Sequence, residues 1–542
     1  MADTTLPSRY GRRRFLGLAG AGFAGLALPL RAPAGATGTR TSAAGQAPRF
    51  RSYPFALGVA SGDPVPDGVA LWTRIAPDPV APDGLGGVPR PHQPIPVRWE
   101  VATDGTFGAR SLVRRGVATA DPSLAHSVHV EVEGLGPDRV YWYRFLTGDE
   151  ASPVGRTRTA PAPNARLSSM AFAFVSCQNY PAGHYTALRH LAEDDLDVVF
   201  HLGDYIYEGG ATGSIGRAHL PTAETFTLAD YRVRYGQYKA DPDLQAAHAS
   251  APFVVVFDDH EVENNWAGAI SQVDDEPDQD PVVFLQRRAA AFQAYYENMP
   301  LRRASMPNGP DMQAFRRIGY GQLAEFHVLD TRQYRSDQAD ENNTEVRWDP
   351  TRTLLGDEQE QWLIEGMAAT PRTWNVIAQQ SKVAETDDTV GPGESYPSDN
   401  WDGYAAARAR LFKAVHERGV ENMVIVSGDA HVSLAANLKP RFKDAESPVV
   451  GAEFLGTSVS SSGDGSEITE RGRQRLAENP HILFYNQRRG YQRCIVTPDE
   501  LRTDYLIVPY VTSPGAPIVT RATGYVEAGR PGVAQMEDGT II

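Results

Sequence analysis

Side chains that bind metal ions follow four apolar runs of this chain, each at the point where the run ends. Cys177 closes the first run, in FAFVSCQNY, where a small polar turn begins. Comparable ends occur in VVFHLGDYIYE, FVVVFDDHEVENNW and NMVIVSGDAHVS. Short apolar runs bounded by turn residues are typical of buried strands. Thiol, carboxylate, phenol, amide and imidazole groups at four such ends indicate a mixed-ligand metal site better than a hydrophobic core.

The second run is followed by two oxygen donors in close succession. Gly203 lets the backbone turn tightly, and Asp204 then projects from the carboxyl end of the predicted strand, where α/β folds place their sites. Tyr207 follows three residues later and shares a centre with Asp204 if the chain turns helically. A phenolate suits Fe(III) and is a rare ligand of zinc. Taken alone, a helix-capping aspartate beside a packing tyrosine is the better interpretation.

The third run carries the densest polar cluster. Its members are Asp258, Asp259, His260, Glu261, Glu263, Asn264 and Asn265. Such density directly after a buried strand is costly without counter-charge, which metal cations supply. Carboxylate and amide oxygens suit hard ions such as calcium, and His260 is a candidate for ligation or for protonating a leaving group. A capped helix start is the alternative interpretation, and it is compatible with a neighbouring ligand.

Asp429 and His431 follow the fourth run, directly after Gly428. Side chains two residues apart in extended chain lie on the same side, so both can reach one centre. An isolated Asp-x-His pair is a weak signal, whereas the four strand ends together are a strong one. The sequence contains no Gly-x-Ser-x-Gly elbow, no Walker loop and no dinucleotide fingerprint, which disfavours serine hydrolases and nucleotide-binding folds.

The net charge of the chain and its first 36 residues indicate which partners the protein has and where it is located. The chain of 542 residues has a net charge of −15, which argues against a nucleic-acid-binding surface. The motif RRRFLGL, a weakly apolar stretch and the small residues AGA predict a cleaved twin-arginine signal peptide over residues 1–36. We therefore expect a secreted protein without a transmembrane anchor. An uncleaved anchor is the alternative, disfavoured because the stretch is short and rich in Gly and Ala.

The chain has two cysteines, Cys177 and Cys494. An exported protein that depended on disulfides would normally have several pairs. A Cys177–Cys494 disulfide is the alternative to metal ligation. We rank it lower because Cys177 lies among the other candidate ligands and Cys494 lies in a predicted hairpin strand.

The pattern of the chain changes once, near residue 160. Residues 37–48 are predicted to be a flexible leader. Residues 49–160 contain alternating strands such as IPVRWEVAT and RVYWYRFLTG, which predict a small all-β sandwich of immunoglobulin or fibronectin type III kind. A Pro/Ala linker precedes residues 166–525, where apolar strands alternate with amphipathic helices and predict α/β layers. Residues 526–542 are predicted to be a C-terminal tail.

The order of the four motifs resembles a known family. SCQNYPAG, HLGDYIYE, DDHEVENNW and SGDAHVS are similar to the motifs of the alkaline phosphatase D (PhoD-type) family of calcineurin-like metallophosphoesterases. The twin-arginine signal and the N-terminal β domain match the same family, so the resemblance covers essentially the whole mature chain. It implies an α/β (α+β) metallophosphoesterase β-sandwich with flanking helices, preceded by the small all-β domain.

The resemblance also implies cofactors, Fe(3+) held with Ca(2+) around a bridging oxygen. The residues at the positions of the iron ligands are Cys177, Asp204, Tyr207 and His431. Asp204 would bridge to calcium, with Asn264 and Asp429 completing that coordination sphere. Asp259 falls where related enzymes place an asparagine ligand, and His260 would face the substrate phosphate.

The activity implied is that of a secreted phosphoric ester hydrolase, an alkaline phosphatase or phosphodiesterase with a metal-bound oxygen nucleophile. The family includes secreted metal-dependent phospholipase D enzymes, so cleavage of lipid headgroups at the same site is the alternative, decided by entrance loops such as 208–225 and 385–402. A calcium-dependent, non-catalytic secreted binding protein is a hypothesis from a different class. Cys177 and Tyr207 argue against it, because calcium prefers neither sulfur nor phenol.

Overall fold

The structure is a computed structural model that describes residues 49–274, 276–339 and 344–541. The predicted signal peptide, residues 1–36, and the predicted leader, residues 37–48, lie outside the described residues. Every helix in the described ranges is too short or too polar to cross a lipid bilayer.

The strands are short, and most follow one another through brief turns. They are β1 Val59–Val65, β2 Gly68–Arg74, β3 Ile95–Ala102, β4 Leu112–Ala120, β5 Ser127–Val132, β6 Val140–Thr147, β7 Glu150–Ala151, β8 Gly155–Arg158, β9 Met170–Val175, β10 Val198–His201, β11 Phe253–Val255, β12 Arg316–Tyr320, β13 Ala324–Val328, β14 Trp374–Ala378, β15 Met423–Ser427, β16 Ser433–Leu438, β17 Gly451–Leu455, β18 Ile482–Asn486, β19 Arg489–Val496, β20 Glu500–Val508, β21 Val519–Glu527 and β22 Gln535–Asp538.

The helices lie almost entirely after residue 180. They are α1 Thr186–Leu191, α2 Leu228–Lys239, α3 Pro242–Ser250, α4 Pro281–Asn298, α5 Gly356–Ala369, α6 Ala405–Glu417 and α7 Glu470–Glu478. Short 3-10 turns occupy Pro122–Leu124, Pro277–Gln279, Arg303–Ser305, Val346–Trp348 and Trp401–Tyr404. The fold is therefore mixed α/β with several sheets and few helices, as the sequence pattern predicted.

Three sheets make up the described part of the chain. The largest has ten strands in the order β22-β21-β20-β19-β9-β10-β11-β1-β2-β5. A seven-stranded sheet has the order β12-β13-β14-β15-β17-β16-β18, and a five-stranded sheet joins β4, β3, β6 and β7, with β8 also paired to β6. At the centre of the largest sheet, β9, β10 and β11 run parallel, so their carboxyl ends meet at one edge.

The two larger sheets share one hydrophobic core, which brings their edges together. Phe172 on β9 and Phe326 on β13 pack with ring centroids 5.1 Å apart, and Phe200 on β10 lies 4.6 Å from the same ring. The strands β9, β10 and β15 are buried almost throughout, as expected for parallel strands covered on both faces. The candidate ligands thus follow strands of two different sheets that pack against each other.

The N-terminal strands divide between two sheets. β1, β2 and β5 extend the ten-stranded sheet, with β1 parallel to β11, while β3, β4, β6, β7 and β8 form the five-stranded sheet. A period-two pattern predicts strands and their buried face, but it does not determine the partner strand. The boundary near residue 160 stays a prediction.

The two cysteines are both free and buried. The alternative of a Cys177–Cys494 disulfide is therefore wrong. Cys494 lies within β19, and its Sγ is 3.3 Å from Thr503 Oγ1 on the neighbouring strand β20. Cys494 thus contacts a hydroxyl within the sheet. Cys177 instead lies just after the end of β9, at the sheet edge where the other candidate ligands lie.

Candidate metal centre

The candidate ligands sit in strained turns directly after the strands. Cys177, Asp204, Asp429 and His431 have φ values of 60°, 54°, 67° and 55°. This left-handed conformation costs a residue with a Cβ atom roughly 1–2 kcal/mol, and such strain clusters at functional sites. Four such residues after three strands indicate that the turns serve a site rather than only the connection of strands.

Two glycines let these turns approach one another. A Cβ atom at Gly203 would lie 2.4 Å from Asp258 Cβ, and one at Gly428 would lie 2.4 Å from Ser176 Oγ. A side chain at Gly203 would push the loop after β10 away from the loop after β11. A side chain at Gly428 would push the loop after β15 away from the loop after β9. The glycines that precede Asp204 and Asp429 are thus required by close contact with Asp258 and Ser176 of the neighbouring loops.

The structure brings most of the predicted ligands into three overlapping groups. Within each group, one ligand atom of every residue lies within 4.8 Å of the others. The groups are Cys177 with Asp204 and His431, Asp204 with Asp259 and His260, and Asp204 with Asp258 and Asp429. Asp204 belongs to all three, which places it at the middle of the cluster. Asp258, to which the sequence analysis gave no ligand role, joins the third group.

The hydroxyl of Tyr207 is surrounded by more possible hydrogen-bond acceptors than its one proton can satisfy. Its Oη lies 3.0 Å from Asp204 Oδ2, 3.1 Å from His431 Nε2 and 2.7 Å from Ser461 Oγ. The phenol has one proton and can satisfy only one acceptor with it. Burial, followed by the charge of Arg489, lowers the pKa of His431 to about 3, so the imidazole is neutral and one of its two ring nitrogens carries a lone pair. A cation among these atoms would satisfy all of them.

Two carboxylate oxygens at the centre have no partner. Asp204 Oδ1 and Asp259 Oδ1 are buried and accept no hydrogen bond from the residues that the structure describes. Burial raises the pKa of Asp204 and of Asp429 well above the usual range, and neighbouring carboxylates raise both further. An unpaired buried carboxylate is costly. The donor set of sulfur, phenol, imidazole and carboxylates therefore fits bound cations.

The thiol and the phenol respond to the same surroundings. Burial, and then the carboxylate of Asp204, raises the pKa of both Cys177 and Tyr207 well above their usual values. Without a cation both groups hold their protons. A bound cation reverses this preference, because it favours the deprotonated ligand.

His260 is held by a carboxylate that the sequence analysis missed. Its Nδ1 lies 2.6 Å from Glu208 Oε2, and Glu208 Oε1 accepts the Asn264 backbone N–H at 2.8 Å. Burial opposes a charge on His260, but the carboxylates of Glu208 and Asp204 raise its pKa well above the usual value. The imidazole ring also packs over Tyr207, with centroids 4.1 Å apart. Glu208 is visible in the sequence as the acidic end of GDYIYE.

Asn264 lies in the loop that carries Asp259 and His260. Its side-chain Nδ2 donates to Gln272 Oε1 at 2.9 Å. This bond fixes the orientation of the amide and leaves Oδ1 as the atom that can accept or ligate.

Glu261 joins two of the ligand-bearing turns through their backbones. It is fully buried and accepts the N–H groups of Asp204 at 3.1 Å, Tyr205 at 2.5 Å and Asp258 at 2.7 Å. A single carboxylate thus holds the turn after β10 against the turn after β11. The sequence marked Glu261 only as part of a polar cluster.

Arg332 supplies the largest counter-charge next to the cluster. It is fully buried, its Nε donates to Asp258 Oδ1 at 2.6 Å, and its Nη2 lies 3.5 Å from Asp259 Oδ2. Nη1 and Nη2 donate to the two oxygens of Asp399 at 2.8 and 2.9 Å. Neither Arg332 nor Asp399 stands near a motif, so no signal in the sequence marked them.

Comparison with known proteins decides the family. A sequence model described as PhoD-like phosphatase matches residues 172–505, and a model of the N-terminal domain of PhoD-like phosphatases matches residues 40–161. The chain belongs to the PhoD-like phosphatase family. It is 49% identical to alkaline phosphatase D of Bacillus subtilis (strain 168), over 98% of this chain and 90% of that protein.

The fold agrees with that assignment. A solved structure of PhoD superposes with a TM-score of 0.86 at 50% identity and covers 92% of this chain and 94% of its own. The protein is therefore a phosphoric ester hydrolase, and the family resemblance seen in the motifs is confirmed. The hypothesis of a non-catalytic calcium-binding protein is wrong, because the match to an alkaline phosphatase extends over nearly the whole chain.

Proposed function

We propose that this phosphatase hydrolyses phosphate esters at a centre of one ferric ion and calcium. The proposed iron ligands are Cys177, Asp204, Tyr207 and His431. The observation that carries the proposal is the position of Asp204, whose carboxylate is shared by all three groups of candidate ligands. The phenolate donor favours ferric iron over zinc at this end of the cluster, and the thiolate disfavours magnesium.

The calcium side of the centre would use oxygen donors. We assign Asp204 as the bridge, with Asn264 Oδ1, Asp429 and the unpartnered Oδ1 of Asp259 as further ligands. Carboxylate and amide oxygens are the donors that calcium prefers. When bound, the cations would stabilise charge on the phosphoryl oxygens and lower the pKa of an attacking water.

The test of this proposal is elemental analysis together with a visible spectrum of the purified protein. We expect iron and calcium in the same preparation, and an absorption band from charge transfer of the thiolate or phenolate to iron. Turnover is then compared on a phosphomonoester, a phosphodiester and phosphatidylcholine, which separates the phosphatase from the phospholipase alternative. A colourless, iron-free enzyme with full activity would overturn the iron assignment.

His260 is the proposed proton donor to the leaving group. Glu208 holds its Nδ1, so Nε2 is the nitrogen left to exchange a proton with a substrate. We expect His260→Asn to lower kcat by about 10²–10⁴-fold on an alkyl phosphate, the range for loss of general acid catalysis. On 4-nitrophenyl phosphate the loss is smaller, because nitrophenolate leaves without a proton.

The control for His260 is Glu208→Gln, which keeps the side-chain size and weakens the hold on the imidazole. We expect the same preference for the nitrophenyl ester with a smaller loss on the alkyl ester. Equal losses on both esters for His260→Asn would contradict a role in leaving-group protonation.

Export and domain division form part of the same proposal. The twin-arginine motif in residues 1–36 supports secretion of the enzyme. We propose an N-terminal β domain over 49–160, a catalytic domain over 166–525 and a tail over 526–542. The separate matches of the two family models, to residues 40–161 and 172–505, support a division near residue 160.

A further inference from the structure

A turn far away in sequence packs against three of the proposed iron ligands. It comprises residues 458–463 and follows β17, whereas Cys177 follows β9. Ser176 pairs with Ser458 in an isolated parallel bridge, and the Val459 backbone N–H donates to the Ser176 carbonyl at 3.0 Å. The backbone N–H of Ser461 donates to the Cys177 carbonyl at 3.3 Å. This turn, here called the serine turn, is thus built onto the ligand-bearing loop.

Ser461 touches two of these ligands with one hydroxyl. Its Oγ donates to the carbonyl oxygen of Cys177 at 2.7 Å and lies 2.7 Å from Tyr207 Oη. It also accepts the Asn179 backbone N–H at 3.3 Å. Ser461 is 1% exposed, so water does not compete for these contacts. When Tyr207 is deprotonated, the phenolate oxygen is a second acceptor for the one Ser461 proton, at the same distance as the Cys177 carbonyl oxygen.

Ser462 touches the third ligand. Its Oγ lies 3.1 Å from His431 Nδ1, while His431 Nε2 faces Tyr207 Oη at 3.1 Å. When Nδ1–H donates to this hydroxyl, Nε2 carries the lone pair toward the cluster. The backbone of Ser462 has a φ of 66°, a strained conformation that brings its side chain to His431.

Arg489 fixes the spacing between the serine turn and His431. Its Nη1 donates to the His431 carbonyl at 2.7 Å and to Ser458 Oγ at 2.9 Å, and its Nε donates to the Gly463 carbonyl at 2.8 Å. The guanidinium is 3% exposed. One guanidinium, that of Arg489, therefore binds the backbone of His431 and the backbone next to Ser462.

We propose that Ser461 and Ser462 are positioning residues that orient Tyr207 and His431 as ligands of the cation beside Cys177. Ser461 holds the phenolate oxygen, and Ser462 selects Nε2 of His431 as the ligating atom. The inference rests on the proposed function, since it concerns the ligands named there. It adds two residues that act through the ligands and touch neither substrate nor cation.

The adjacent Ser460 provides a matched control. It is fully buried in the same turn, but its Oγ donates to the Asn179 carbonyl at 2.9 Å. Ser460→Ala therefore removes a buried hydroxyl of the same turn, as Ser461→Ala does, without removing a contact to a proposed ligand side chain. The structural cost of losing a buried serine in this turn is common to Ser460→Ala and Ser461→Ala, and it is an upper limit for Ser462→Ala, because Ser462 is exposed.

The experiment measures the release of cations from the full-length protein into EDTA, by elemental analysis over time, together with the visible spectrum. We expect Ser462→Ala to release the cation about 10–100-fold faster than the wild type, the range for loss of a partner of a metal-bound histidine. We expect Ser461→Ala to move the charge-transfer band to longer wavelength, because a phenolate without its donor holds its electrons less tightly. Ser461→Thr, which keeps the hydroxyl, restores the wild-type band.

Two outcomes separate this inference from the proposed function. Release rates and spectra of Ser461→Ala and Ser462→Ala that match those of Ser460→Ala would overturn the positioning role. A wild-type protein that holds another cation in place of iron would overturn the metal assignment, and the comparison of release rates then tests the positioning role with that cation.

Discussion

Asp204→Asn is expected to abolish phosphate-ester turnover and to lower the cation content of the protein at the same time. The carboxylate takes part in all three groups of candidate ligands, and its Oδ1 is buried without a partner in the part of the chain that the structure describes. Asparagine has the same size but carries no charge and offers one oxygen. A bound metal contributes several kcal/mol to stabilisation of the transition state, so we expect kcat/KM to fall by at least about 10³-fold.

The matched control is an aspartate at the other end of the same strand. Asp197 precedes β10, is also buried, and binds the Ala171 backbone N–H at 2.8 Å and the guanidinium of Arg158. Asp197→Asn is expected to keep both cations and turnover, although it loses a buried ion pair. Iron and calcium are counted by elemental analysis of each purified variant. Full activity and full iron in Asp204→Asn would show that the site is assigned wrongly.

Arg332→Met is expected to lower the free energy of unfolding by about 3–5 kcal/mol, the range for breaking a buried ion pair from one side. The guanidinium is 0% exposed and binds Asp258 and both oxygens of Asp399. Methionine fills similar space but leaves these carboxylates uncompensated. We expect the loss to be larger in protein stripped of cations by a chelator, because a bound cation would otherwise take over part of the lost charge.

An exposed pair gives the comparison for Arg332. Arg473 and Glu470 lie 3.1 Å apart, with side chains 58% and 73% exposed. Arg473→Met is expected to change the free energy of unfolding by less than about 1 kcal/mol, as is usual for surface ion pairs. Urea unfolding followed by fluorescence measures both variants with and without chelator. A change below about 1 kcal/mol for Arg332→Met would mean that the cluster does not depend on this guanidinium.

Several elements of the fold were readable from local patterns. The apolar runs that became β9, β10 and β15 are continuous because these strands are covered on both faces. The glycines before Asp204 and Asp429 marked the points where the chain turns sharply. Short-range signals of this kind depend on a few neighbouring residues, so one sequence is enough to show them.

The local sequence pattern did not predict which strands the N-terminal strands pair with. The alternation over residues 49–160 predicted a small all-β sandwich, but β1, β2 and β5 from this range extend the ten-stranded sheet, with β1 next to β11. Strand pairing is decided by which apolar surfaces meet after collapse, and many registers satisfy the same alternation.

By itself, the sequence determined that thiol, carboxylate, phenol and imidazole groups follow buried strands, because strand patterns and turn glycines are local. Only the tertiary structure decided that Asp204 lies at the middle, that Glu208 holds His260, and that the serine turn reaches Tyr207 and His431. The contacts of Glu208 and of the serine turn join residues that are 31 to 254 positions apart. They exist because two sheets share a core, and no local pattern records which loops such packing brings together.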